Sequence, residues 1–355
     1  MTPMTTWERF SRMYQHKEAD RIPIFDNPWS QTIDRWVAEG MPTRDYVSYF
    51  ELDKVRHIAP DYSPRYALKT LEETDTYTIY TTSWGATLKS WKHIASTPDF
   101  MDFTVKDRET WQEAKARMLP SRDRVDWAAL QANYANWRKE GAWIIGEMWF
   151  GFDVTHSWMV GTERVLMALL DDPEWCVDMF NTFLDINLAM MDMVWDAGYH
   201  FDEISWPDDL GYKGTSFFSL DMYRELLKPV QKRAINWAHA KGIKTRLHSC
   251  GCITKLIPDF IDMGLDALNP LEVKAGVDPI AIKRQYGDKL VLHGGVNAVL
   301  WDDADAITAE IRRLVPLLKE NGGYIFASDH SIPNSVSLEN FRKIIHEAKT
   351  CGAYT

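Results

Sequence analysis

The sequence predicts an α/β protein that forms a single (β/α)8 TIM barrel over residues 1–355, with an N-terminal helical and hairpin excursion. Strand-like and helix-like segments alternate regularly from residue 142 onward, which is typical of parallel β/α units. Two earlier strand-like segments bring the count to eight, which favours a closed barrel over an open, doubly wound sheet. No GxGxxG motif follows a strand and no linker clearly divides the chain, so both the open sheet and a second domain are disfavoured.

The first 140 residues contribute two strands, several helices and a hairpin. The predicted elements are an amphipathic helix at 6–14, a strand at 21–26, helices and loops at 28–50, a strand at 53–59 and a charged helical region at 106–140. Residues 74–93 are rich in Thr, Tyr and Trp around Trp84-Gly85, which indicates a β-hairpin outside the barrel.

The remainder supplies six strands, each followed by helix. The strands are predicted at 142–148, 201–206, 244–249, 267–271, 289–294 and 323–328. The helices are predicted at 162–170, 173–197, 219–241, 253–263, 278–285, 304–320 and 337–350.

Composition excludes several classes of protein. The net charge of −11 argues against a nucleic-acid binder. The four cysteines are too few for a disulfide scaffold, so a reducing cytoplasm is the expected location. The polar N-terminus has no apolar signal-peptide core, and no stretch approaches 18 uncharged apolar residues, so we expect no membrane span. The oligomeric state stays open.

The segment KTRLHSCGC (244–252) indicates a metal site. Residues i and i+2 of an extended strand point to the same side, so His248 and Cys250 can face one point at the end of the strand. Imidazole and thiolate suit zinc, which then needs at least one further ligand. Cys252 is expected to point away, because Gly251 ends the extended run. The alternative is a buried histidine beside a small apolar cysteine.

Polar residues recur where the predicted strands end, which is where barrel enzymes carry their chemistry. These positions are Asp26, Glu147, Trp206 with Asp208 and Asp209, His248 with Cys250, Asn269 with Glu272, His293 with Asn297, and Asp329 with His330. Their clustering favours the metal interpretation. Alternatives remain: Asp208 and Asp209 as caps, Glu272 and Asn297 bonded to loop backbone, and His293 as a core histidine.

Three segments resemble the uroporphyrinogen decarboxylase superfamily, which includes zinc-dependent methyltransferases that act with corrinoid proteins. They are LHSCG (247–251), LHGGVNAVLW (292–301) and SDHSIPNSVSLENFRKII (328–345), and the resemblance runs over roughly residues 15–350. It implies a barrel with zinc on His248 and Cys250. The third ligand, usually a cysteine, falls on or beside His330, with Asp329 and Glu147 as fallback candidates.

The decarboxylase itself is marked by an Arg-x-Ala-Gly-Arg stretch whose arginines clasp the tetrapyrrole's carboxylates. The corresponding segment, RIPIFDNPWSQTIDRW (21–36), has no arginine pair spaced in that way. An eight-carboxylate substrate would also meet an acidic barrel mouth. Both observations favour methyl transfer over tetrapyrrole decarboxylation.

The resulting hypothesis is zinc-dependent O-demethylation of a methoxylated small molecule, for example an aromatic one, with cobalamin on a separate corrinoid protein as acceptor. Catalytic acids are expected among Glu147, Asp208 and Asp209. Substrate contacts are expected from Trp84, Trp149, Trp206 and Asn269. The Asp-x-His-x-x-Gly signature of corrinoid carriers is absent, so the carrier is a partner. Two alternatives are a metal-free decarboxylase of a small or tetrapyrrole acid, in which His330 and the acidic residues donate protons, and a non-catalytic binding barrel.

Overall fold

The computed structural model describes residues 3–93 and 97–354. The strands within these ranges are β1 (Val55–Ile58), β2 (Thr70–Glu73), β3 (Tyr77–Thr81), β4 (Ala86–Trp91), β5 (Asp99–Phe103), β6 (Trp143–Glu147), β7 (Glu203–Pro207), β8 (Gly211–Tyr212), β9 (Thr215–Ser216), β10 (Lys244–His248), β11 (Ala267–Asn269), β12 (Val291–His293) and β13 (Tyr324–Ile325).

The α-helices are α1 (Thr6–Tyr14), α2 (Ser30–Ala38), α3 (Tyr46–Tyr49), α4 (Arg108–Arg117), α5 (Trp127–Lys139), α6 (Thr162–Asp171), α7 (Pro173–Asp196), α8 (Leu220–Met222), α9 (Lys228–Ala240), α10 (Ile257–Met263), α11 (Pro279–Tyr286), α12 (Ala304–Leu318) and α13 (Leu338–Gly352). Two π-helical turns, Val154–Val160 and Tyr223–Leu227, interrupt the regions before α6 and α9. The described helices include none with the length and apolar character that a membrane-spanning helix needs.

Seven parallel strands form the central curled sheet, in the order β1-β6-β7-β10-β11-β12-β13. They confirm seven of the eight predicted strands and the predicted α/β architecture. The helix predictions are also confirmed in position, although the region predicted as one helix at 219–241 is divided between α8, a π-helical turn and α9.

The predicted strand at 21–26 is the exception. Ile24 makes an isolated parallel bridge to Phe326, and its carbonyl accepts from the Asp53 backbone N–H at 3.3 Å, so the segment runs between β13 and β1. Pro23 has no N–H to donate, and the Ile24 N–H donates to the Asp53 carboxylate at 2.8 Å instead of to a strand. The described sheet is therefore a curled seven-stranded one with a bridged eighth segment.

The two faces of the sheet hold different residues, because side chains alternate along a strand. Trp143, Ile145, Ala267, Val291 and Ile325 form the inner cluster together with α1 side chains. Helix α1 starts with a Thr5–Glu8 capping box and stacks Phe10 on Trp143 at 5.3 Å, so it covers the N-terminal ends of the strands. The residues of opposite parity pack against the surrounding helices.

A four-stranded antiparallel sheet, β2-β3-β4-β5, lies outside this core. The hairpin predicted at 74–93 is confirmed as β3 and β4, and β2 and β5 extend it on both sides. Gly85 takes a φ of +94° in the hairpin turn, and a Cβ there would lie 2.9 Å from the Tyr66 ring.

Candidate metal centre and adjoining clefts

The end of β10 brings His248 and Cys250 together, as the i, i+2 spacing predicts. The Cys250 Sγ lies 3.4 Å from the His248 Nε2. Gly251 follows with a φ of +82°, and a Cβ there would overlap the Gly211 carbonyl group. The turn after Cys250 therefore packs directly on the β8 backbone, a conformation that requires glycine.

Asp209, in the turn after β7, completes a group of three possible metal ligands. Its Oδ1 lies 3.8 Å from the His248 Nε2 and accepts a hydrogen bond from the Cys250 backbone N–H at 2.8 Å. One donor atom from each residue falls within 4.8 Å of the others. Nitrogen, sulfur and oxygen ligands at this spacing fit zinc, and three protein ligands leave a position open for a reactant. Cys252 is outside the group.

A hydrogen-bonded chain orients the His248 ring. The Asn269 side-chain N–H donates to the His293 carbonyl at 3.2 Å, which leaves the Asn269 Oδ1 to accept from the His248 Nδ1–H at 2.7 Å. The proton is thus held on Nδ1, and the lone pair of Nε2 is directed toward Cys250 and Asp209. Supporting bonds of this kind accompany histidine ligands in metal sites.

Negative groups crowd this region. Burial, together with Asp209 and Glu272, raises the pKa of the Cys250 thiol well above its usual range. Burial and the neighbouring Asp209 also raise the pKa of Asp153 to about 6. A bound cation would offset the repulsion among these groups.

An aromatic cleft of about 310 Å³ adjoins the group. Its walls include Trp84 and Trp149, whose rings meet edge to face with centroids 5.1 Å apart. Glu147 also lines this cleft, and its Oε1 forms a hydrogen bond with the His57 Nδ1 at 2.6 Å. Pro207 also lines this cleft and is the register partner of His248 in the sheet, so the cleft lies at the neighbouring strand end.

A smaller cavity of about 70 Å³ has His248 in its lining. Its lining includes Asp26, Arg246, Asn269 and His330. The structure thus brings His330 near His248, but among the described residues the metal-capable group contains Asp209 rather than His330. Burial lowers the pKa of His330, and Lys274 adds to that effect.

Other predicted site residues lie away from both openings. Asp208 is fully buried and accepts from the Asp153 N–H at 2.9 Å and from Gln231 at 2.7 Å. Trp206 is also fully buried and stacks on Phe150 at 5.3 Å, because its parity along β7 directs it to the helices.

The strand-end residues of the last loops form hydrogen bonds with backbone groups. The Asp329 carboxylate accepts from the Val273 N–H at 3.0 Å and from the Ala298 N–H at 2.7 Å. Glu272 accepts from the Gly251 N–H, and His293 is buried with its Nε2 on the Phe25 carbonyl.

The sequence interpretation missed three residues. The side chains of Arg246 on β10 and His57 on β1 point to the inner face of the sheet, which alternation along those strands would have indicated. Asp153 accepts from the Trp149 indole N–H at 3.0 Å, but it lies in an irregular segment with no periodic signal.

Comparisons with known proteins agree with this architecture. The sequence pattern described as uroporphyrinogen decarboxylase (URO-D) matches residues 140–351. A methyltransferase from Methanosarcina mazei has a similar structure, with a TM-score of 0.61 over 98% of this chain and 99% of that chain. At 16% sequence identity this likeness concerns the fold. None of the curated protein sequences matches the chain significantly.

Proposed function

Because the chain belongs to the uroporphyrinogen decarboxylase family, we propose that it is a zinc-dependent methyltransferase of that family. In this proposal it moves a methyl group from a methoxylated small molecule to the corrinoid of a separate protein. The C–O bond of the donor breaks and a carbon–cobalt bond forms, with reduced cob(I)alamin supplying the electron pair. The departing oxygen then takes up a proton.

The observation that carries the proposal is the convergence of Asp209, His248 and Cys250. Their donor atoms fit zinc, and when bound Zn2+ would act as a Lewis acid on the ether oxygen. The Asp209 carboxylate is a harder and less electron-donating ligand than a second thiolate, so the ion stays more electrophilic, which suits an ether better than a thiol substrate. Asp209 is proposed as the third ligand in place of His330, because its carboxylate already lies with the other two donors.

The remaining groups bind the substrate or move protons. Trp84 and Trp149 offer flat apolar walls for a methoxylated ring in the aromatic cleft. Glu147 is proposed to return a proton to the departing oxygen, and its bond to His57 links it to a second titratable group. Asn269 orients His248, while the buried Asp208 is assigned to holding the loop of Asp153.

We also infer that the barrel is closed by residues 21–26 as the eighth strand position. The bridge from Ile24 to Phe326 and the bond from Asp53 to Ile24 support this, since they join the segment to both edges of the sheet. The site then lies at the C-terminal mouth of the barrel.

The test is a methyl-transfer assay on the purified full chain loaded with zinc. With cob(I)alamin and a methoxylated aromatic donor, we expect formation of methylcobalamin, about one zinc per chain, and loss of the reaction after chelation. Conversion of uroporphyrinogen to coproporphyrinogen at a comparable rate, with no methyl transfer from any donor, would refute the proposal.

Metal-free decarboxylation is the second candidate, and Asp26 favours it. This carboxyl lines the small cavity, and burial raises its pKa to about 7, so that it can hold a proton to give to a carbanion. Carbon dioxide release from an acid substrate that continues in the presence of a chelator, and that stops in Asp26→Asn, would favour this candidate.

A further inference from the structure

Arg246 is a buried arginine with most of its hydrogen-bonding capacity unused. It lies two residues before His248 on β10, shares its inward parity and is 6% exposed. Its Nε donates to the Glu203 carboxylate at 2.5 Å. Glu203 also accepts from the Tyr14 hydroxyl at 2.6 Å and from the Trp143 indole at 2.8 Å, so the Glu203 carboxylate is well satisfied.

The two terminal nitrogens of Arg246 have no hydrogen-bond partner within residues 3–93 and 97–354. Neither nitrogen is among the fully buried side-chain atoms of those residues that have no partner, so both retain some accessible surface. They therefore open on the small cavity that the side chain lines. Guanidinium has five N–H donors and no acceptor. Buried donors are almost always paired, so these N–H groups require acceptors that enter the cavity.

The cavity limits what the acceptor can be. Its volume is about 70 Å³, which is room for roughly two water molecules at about 30 Å³ each. An aromatic ring does not fit, since a cavity that binds benzene measures about 150 Å³. A carboxylate fits, because its two oxygens can replace two waters and match the planar fork of the terminal nitrogens.

The charges around the cavity admit an anion. Glu203 faces the Nε side of the guanidinium rather than the terminal nitrogens. Asp26 is the acidic residue of the lining, and burial raises its pKa to about 7, so its repulsion of an anion is reduced near neutral pH. The Phe25 ring lies 5.6 Å from the guanidinium carbon and holds the group in place.

We propose that Arg246 binds a carboxylate of the methyl donor, so that the substrate class is methoxylated carboxylic acids rather than neutral methoxylated compounds. That the bound acid is a methyl donor rests on the proposed function. The carboxylate-binding site itself is inferred from the cavity and the unpaired nitrogens of Arg246. Two residues of a strand span about 6.6 Å, so a carboxylate on Arg246 places the body of a small acid beside the His248 end of the strand.

The test is direct binding of short acids to the full chain, measured by calorimetry. The probes are methoxyacetate and 4-methoxybenzoate, each compared with its methyl ester. We expect the acids to bind at least about tenfold more tightly than the esters. We expect Arg246→Lys to weaken acid binding by about 10- to 100-fold, because lysine keeps the charge but lacks the planar fork that pairs with both carboxylate oxygens. The contrast between acid and ester needs no variant, so it holds even if Arg246→Lys folds poorly.

Arg9→Lys is the matched control. Arg9 is also buried, at 8% exposed, but it pairs with Asp20 and Asp53 away from the cavity. Its variant should keep wild-type acid binding. Equal binding of acid and ester, absence of acid binding, or an equal loss in both lysine variants would overturn the proposal, and tighter binding of methanesulfonate than of acetate would overturn the choice of carboxylate.

The assay separates the two proposals. If methylcobalamin forms equally well from acids and neutral donors, and Arg246→Lys changes neither, the carboxylate site is refuted while methyl transfer stands. If acids bind through Arg246 and no methyl group is ever transferred, the carboxylate site stands while the proposed function is refuted.

Discussion

The turn after β10 and the turn after β13 carry similar side chains but use them differently. After β10, His248 and Cys250 converge with Asp209 on one point. After β13, Asp329 is occupied by two backbone N–H groups, and His330 faces the small cavity. The meeting of His248 with Cys250 follows from alternation along one strand, and Asp209 joins them from the turn after β7. The arrangement after β13 depends instead on how three loops pack, so similar residue types form a ligand group at one place and a loop support at the other.

The largest effect should follow from Cys250→Ser. Serine replaces the thiolate with a poor zinc ligand, so we expect zinc affinity to fall by roughly a hundredfold or more, since loss of a mere supporting bond already lowers affinity by about 10- to 100-fold. The measurement is competition against a chromophoric chelator. Cys252→Ser is the control and should bind zinc as the wild type does; retention of full affinity in Cys250→Ser would mean that the site lies elsewhere.

Asp209→Asn and His330→Ala decide which of the two residues is the third zinc ligand. The amide in Asp209→Asn would keep an acceptor for the Cys250 N–H, but the anionic ligand would be lost, so we expect zinc affinity to fall by about 10- to 100-fold. His330→Ala should change zinc affinity by less than about twofold, because its ring is outside the ligand group. The opposite pair of results would restore His330 as the third ligand, as the family resemblance implies.

Asn269→Ala should have a smaller effect on zinc. The variant removes the acceptor that fixes the His248 Nδ1–H, and supporting bonds of this type contribute about tenfold to metal affinity. Asn297→Ala is the matched control, since the Asn297 amide accepts from the Val299 backbone instead. Unchanged zinc affinity in Asn269→Ala would show that the ring is oriented by its packing alone.

The contrast between the turns also marks the limit of the sequence interpretation. Alternation and strand–helix order predicted the seven confirmed strands and the meeting of His248 with Cys250, because both depend on local geometry. Trp206 is predicted at the site, whereas its parity along β7 directs its ring toward the helices, an orientation that strict alternation would have indicated. Asp329 accepts hydrogen bonds from two loops, and the Ile24 N–H donates to Asp53 instead of to a strand. Both features depend on contacts between distant segments, which a single sequence does not reveal.

The smallest effect on zinc is expected at Asp329, where the cost should fall on stability instead. Asp329→Asn retains one acceptor oxygen but turns an amide N–H toward a backbone N–H of Val273 or Ala298. A buried donor without an acceptor costs about 1 to 3 kcal/mol, so the free energy of unfolding should fall by that amount while zinc affinity stays within about twofold. Urea denaturation and chelator competition on one preparation measure both quantities. The exposed Asp302 provides the control, and Asp302→Asn should change stability by less than about 0.5 kcal/mol. A loss of zinc in Asp329→Asn with no loss of stability would mean that the turn after β13 contributes to the metal site, and the distinction between the two turns would fail.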